Sequence, residues 1–284
     1  MMAAAPHPWD DAAVGWNDHA PMLTQWLREA TGAMLDAAHI RSGAHVLDIA
    51  AGSGDQTLDI ARRVGPTGRV LATDISPRIL GLALAKLRDA GFGPDTVQTR
   101  VADAQALGLD GAGFDAVVCR LGLMFCHTPL TALKGVQAAL KPGGRFAALV
   151  FSSPQHNPCI AIMASTAMRH AGLPPASAPA SGSLLSLGRP GLLTSLLTDA
   201  GFTDIDVRAM AAPMRLPGTQ HYVDFVRTAG LPIKAILAPL SEAAQQEAWA
   251  DIAHQLDQFM TPEGWQGPNE LLLCCATRPV AQTR

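Results

Sequence analysis

Nowhere in the 284 residues is there a run of about 18 apolar residues, as a membrane-spanning helix would need. The opening stretch MMAAAPHPWDDAAVGW lacks a basic region followed by an apolar core, so no signal peptide is expected. Charge is sparse as well. Only 16% of residues are charged and the net charge is −3, which offers no attraction to nucleic acid or an anionic membrane. The five cysteines are odd in number and lack metal-ligand spacing, so buried, reduced thiols and no bound metal are expected. No internal repeat is present, and nothing in the composition points to a particular oligomeric state. What remains is a cytoplasmic globule. Its hydrophobic content of 48% suits one large α/β domain with insertions.

One further absence sits in the stretch VLDIAAGSGDQTLDIA, from Val46 to Ala61. An apolar run reads as a buried strand, stops at Gly52-Ser53-Gly54 and becomes a helical pattern. Strand, glycine turn and helix together present backbone N–H groups to a ligand at a helix N-terminus. The dinucleotide fingerprint needs glycine at position 57, where this chain has Thr57. Asp48, four residues before Gly52, would repel a pyrophosphate and attract a cation. The loop therefore reads as unsuited to NAD and suited to a ligand carrying positive charge.

Along the chain, residues 9 to about 40 have helical spacing, with Pro21 fit for a first turn. Strands at 69–74, 97–103, 114–120 and 145–151 then alternate with helices at 77–91 and 130–140, and KPGG (141–144) reads as a turn. That alternation argues for a doubly wound, mostly parallel sheet. The expected organisation is an N-terminal helical lid (1–43), an α/β core (44–151), a cap insertion (152–188), a core helix and strand (189–210), a second cap insertion (211–268), and a last core strand and tail (269–284). The second insertion holds a helix at 241–259 with Ser241 as N-cap, and the last strand, 270–277, is a candidate for antiparallel pairing.

Three acids fall on successive strands: Asp48 in the first, Asp74 ending the second, Asp103 ending the third. Ligands of open parallel sheets sit beyond the carboxyl ends of the strands, so these carboxylates should converge on one crevice. Asp74 lies 22 residues after Gly52, where a carboxylate accepts hydrogen bonds from ribose hydroxyls. Ile75 would then pack on a purine face, and Asp103 with Ala104 would meet an adenine amino group. A nucleoside ligand is the reading.

The segments VLDIAAGSGD, VLATDIS, VADAQAL, FDAVVCRLGLMF and LKPGGRFAALVF resemble, in order, the motifs of class I S-adenosylmethionine-dependent methyltransferases. They are most similar to the small-molecule branch related to the ubiquinone/menaquinone C-methyltransferases. The resemblance covers about 44–151 and implies a seven-stranded Rossmann-like sheet with a reversed last strand. It implies S-adenosylmethionine as cofactor, Gly52 and Gly54 at its methionine part, Asp74 at the ribose and Asp103 at the adenine. It also places the backbone of Arg120 and Leu121 at the methionine ammonium, and Asp48 near that charge. One departure is Ala50, where the family has glycine; its methyl should adjust the approach to the methionine tail.

The implied reaction is methyl transfer to a small, largely apolar organic acceptor. Two alternatives stand beside it: a fold-alike that binds the cofactor without transferring methyl, and a nicotinamide-dependent oxidoreductase. Displacement at a sulfonium needs alignment first and a base only when the nucleophile carries a proton. Candidates for a base or an acceptor contact are His19, His127 and His156 with its neighbour Asn157. His221 and Tyr222 are expected at the surface or in cap packing. The caps' Met22, Trp26, Met163, Met210, Met214, Trp249 and Trp265 are expected as core. The lid's apolar residues, Trp9, Trp16 and Trp26 among them, are expected against the helices at 157–171 and 241–259.

Overall fold

A computed structural model describes residues 7–175 and 178–280. The outer ends of the expected lid and tail (1–6 and 281–284), and positions 176–177 of the first cap, lie outside the described residues.

Two helices come first, α1 (Pro8–Asp18) and α2 (Ala20–Ala37). The core follows as β1 (His45–Ile49), α3 (Asp55–Val64), β2 (Arg69–Asp74), α4 (Pro77–Asp89), β3 (Val97–Val101), β4 (Phe114–Arg120), α5 (Pro129–Ala139) and β5 (Leu140–Phe151). After α6 (Pro158–His170) and α7 (Leu192–Asp199) the chain returns as β6 (Thr203–Ala211). A second excursion holds β7 (Met214–Leu216), α8 (Thr219–Ala229), α9 (Leu231–Leu237), α10 (Glu242–Leu256), β8 (Met260–Thr261) and β9 (Gly264–Gly267), before β10 (Glu270–Thr277) closes the sheet.

The seven strands lie in the order β3-β2-β1-β4-β5-β10-β6. The first four joins are parallel, and β10 runs antiparallel to both neighbours. The order reverses between β1 and β4, and a ligand crevice opens at the carboxyl ends there. Helix starts follow local chemistry. Ser76 caps α4 by accepting from the Ile79 N–H, Pro77 takes the first turn, and Ser241 caps α10.

Two expectations are corrected. The KPGG turn lies inside β5: Leu140 pairs with Phe114, Arg145 with Ala116, and the residues between bulge out of register. The second excursion holds a separate sheet, β7-β9-β8, with helices α8 and α9, where the sequence showed one helix. Strands of two to four residues are too short to display a period.

Candidate active site

The loop after β1 is shaped by three left-handed residues: Ala50 (φ +54°), Gly52 (φ +57°) and Gly54 (φ +84°). The two glycines differ in what surrounds them. A side chain on Gly54 would lie 2.9 Å from the Ala83 Cβ, so this residue lets α3 pack on α4. A side chain on Gly52 would meet only the Ile79 Cδ1, at 4.0 Å, so the space above it is open. The Gly52 N–H donates to Asp74 Oδ2 and the Ser76 N–H to Oδ1, both at 3.0 Å, tying the loop to the end of β2. Burial pushes the Asp74 carboxyl up, against the pull of these N–H groups. Asp103 Oδ1 accepts from the Gln105 N–H at 2.8 Å, capping a short turn that contains Ala104. Ile75, just past β2, and Asp103 and Ala104, just past β3, are half-buried.

Asp48, expected in the crevice at the strands' carboxyl ends, is turned away from it, and Thr57 with it. Asp48 is fully buried, with Oδ2 accepting from the Thr57 hydroxyl at 2.6 Å and Oδ1 from the Gln56 amide. The pair braces the first turn of α3 against β1. Burial pushes the Asp48 carboxyl up to about 7, while Gln56 Oε1 has no partner. The raised value means that the folded protein holds a proton which an ordinary Asp, at 3.8, has released. Stability conferred at this site is therefore highest at low pH and falls as pH climbs through that window. Asp48→Asn removes the charge and can donate to Gln56 Oε1. Its Tm relative to wild type should rise between pH of about 4 and about 7 and then level off. A difference that stays flat across this range would refute the assignment.

At the end of β4, the Leu121 N–H is spent on the Leu149 carbonyl at 2.8 Å, and the Arg120 guanidinium donates to the Thr31 hydroxyl on α2 at 3.0 Å. Leu121 holds φ +57°, an outlier for so bulky a residue. The Ala50 methyl occupies the space beside Gly122, where a second side chain would come within 2.3 Å. The departure from the family glycine is thus absorbed by Gly122.

Beyond Leu121 lies a cavity that is partly open to solvent. Trp9 and Trp16 of α1, Trp26 of α2, Phe125, Phe151 and Phe225 line it. Trp9 meets Phe125 edge-on at 4.9 Å, and Trp26 stacks on Phe151 at 6.2 Å. Among the described residues its lining holds no Asp, Glu, Lys, Arg or His. Met163, Met214 and Tyr222 are buried as expected, yet together with Trp26 they are also lining residues of this cavity. They were missed because an apolar residue facing a cavity has the same sequence pattern as one facing the core.

The three histidines fall outside this lining. His19 Nε2 lies 3.1 Å from the Thr228 hydroxyl, His127 is exposed, and His156 pairs with Glu270 at 2.8 Å. Asn157 is fully buried and bonds Ser152, Ser153 and the Glu270 backbone, fastening the chain after β5 to β10. The lid also docks elsewhere than expected: α1 packs chiefly on α8 and α4. Asp10 holds it there, accepting from the Ser76 hydroxyl and the Arg78 N–H.

The fold and its crest are those of class I methyltransferases. YcgJ from Bacillus subtilis superposes with a TM-score of 0.61 at 15% identity, covering 89% of this chain and 99% of that one. Phosphoethanolamine N-methyltransferase 2 from Haemonchus contortus, solved with S-adenosyl-L-methionine, gives 0.61 at 16%, covering 98% and 61%. Residues 25–169 match the model of the ubiE/COQ5 methyltransferase family, and the chain belongs to that family. The ubiquinone/menaquinone biosynthesis C-methyltransferase UbiE of Hahella chejuensis is 40% identical over 126 residues, 44% of this chain and 50% of that protein. The chain thus spans about half the length of the curated relatives it matches.

Proposed function

We propose that the protein is a cytoplasmic S-adenosylmethionine-dependent methyltransferase acting on a small, largely apolar organic acceptor, and that neither nucleic acid nor membrane is its partner. Open space above Gly52, beside the half-buried Asp74 carboxylate, carries the cofactor reading. Gly52 lets the cofactor's methionine end approach the backbone, Asp74 accepts from the ribose hydroxyls, and Ile75, Asp103 and Ala104 receive the adenine. The carbonyls of Arg120 and Leu121 receive the ammonium. S-adenosylmethionine supplies a methyl group on a good sulfonium leaving group. The aromatic cavity past Leu121 positions the acceptor and excludes water. No base lines it, so alignment is the chain's main contribution to the rate.

Asp74 gives the direct test. Asp74→Ala should weaken S-adenosylmethionine binding by about 1.5–3 kcal/mol, roughly 10- to 150-fold by isothermal titration. Asp74 also holds the Gly52 loop, so Asp74→Asn, which keeps an acceptor oxygen, should lose less. Unaltered affinity in a folded Asp74→Ala protein would remove the cofactor reading. Release of S-adenosylhomocysteine with an acceptor separates an enzyme from a protein that only binds the cofactor.

A further inference from the structure

Three indoles, Trp265 buried and Trp16 and Trp26 half-buried, differ in one respect. Trp26 Nε1 donates to the Ala212 carbonyl at 2.7 Å and Trp265 Nε1 to the Leu256 carbonyl at 2.9 Å. Trp16 Nε1 is buried and has no partner among the described residues, although its ring lines the aromatic cavity. Phe225 meets that ring at right angles, with centroids 5.6 Å apart. A buried donor left unmatched in the free protein is stabilised when a ligand brings an acceptor to it.

We propose that the Trp16 N–H is the specificity-determining donor of this cavity, and that it selects uncharged apolar molecules carrying an accepting oxygen. Aromatic walls alone would also suit an ammonium compound by cation–π attraction. Two observations disfavour that occupant. No carboxylate lines the cavity, and an ammonium group has no lone pair for the indole donor. A hydrocarbon fills the same walls and leaves the donor unmatched. Because Trp16 sits on α1, the bond also holds the lid to its ligand. The inference rests on reading this cavity as the acceptor site, but its test involves no methyl transfer.

The experiment is equilibrium dialysis of the full chain against 2-acetylnaphthalene, its hydrocarbon isostere 2-isopropylnaphthalene, and trimethyl(2-naphthyl)ammonium. Trp16→Phe should weaken the ketone roughly tenfold and leave the hydrocarbon within about twofold. In the wild-type protein, the Trp16 indole N–H resonance should move downfield with the ketone and not with the hydrocarbon. This reading stands even if the variant folds poorly. Equal losses for both naphthalenes would make Trp16 a wall only. Tighter binding of the ammonium compound, or no binding of any probe to wild type, would also overturn the proposal. Loss of the methyl-transfer reading, seen as no S-adenosylhomocysteine with any acceptor, would leave these binding results intact.

Discussion

Gly52→Val is expected to abolish S-adenosylmethionine binding, with affinity falling at least about 100-fold, while the sheet still folds. Gly52 holds φ +57°, a conformation that a β-branched residue resists. Its side chain would enter the open space where only Ile79 Cδ1 stands, at 4.0 Å. The cost to folding should be about 1–2 kcal/mol, since one residue of a turn is strained and no core contact is lost. Isothermal titration and thermal unfolding measure the two effects separately. Near-normal binding by a cooperatively unfolding Gly52→Val protein would show that the loop is not the cofactor cradle.

Removing residues 1–20 should leave a folded core that has lost most of its turnover. Deletion strips Trp9 and Trp16 from the cavity wall and opens it to water. Burial of such side chains contributes roughly 1.5–3 kcal/mol each, enough to hold a lid and little enough to let it open. Gly15→Leu is a milder version of the same test. Gly15 lies against the backbone of α8, and a Cβ there would stand 2.8 Å from the Thr228 carbonyl group. Backbone cannot yield as a side chain does, so α1 should be wedged off α8 with the core untouched. Turnover should drop more than tenfold in the deletion and less in Gly15→Leu, and cofactor should protect α1 from proteolysis in wild type. Full-rate methylation by either protein would make the lid decorative and remove the enclosure argument for a small acceptor.

Local order was legible without coordinates. The expected strands at 69–74 and 114–120 coincide with β2 and β4, and Ser76, Pro77 and Ser241 mark helix starts where they stand. These features depend on near neighbours: apolar runs, a capping hydroxyl and a proline ring act within one turn. The order of acids along the strands was legible for the same reason, since Asp74 ends a strand and Asp103 follows one. The reversed pairing of β10 with β5 and β6 was a candidate from the chain itself and was also implied by the family resemblance.

The orientation of each acid was decided elsewhere. Asp48 sits on β1 as expected, yet its oxygens are taken by Gln56 and Thr57, which the turn at Gly52 and Gly54 folds back over the strand. The lid was recognisable by its tryptophans, but its berth on α8 and α4 depends on Gly15 meeting Thr228 and Asp10 meeting Ser76. Sequence by itself determined the sheet, its crest and the chemistry offered to a nucleoside. Tertiary structure decided the aromatic cavity, because its wall is assembled from side chains between Trp9 and Asn269. An apolar side chain follows the same period whether another side chain or a ligand covers it, and only the packed chain tells the two apart.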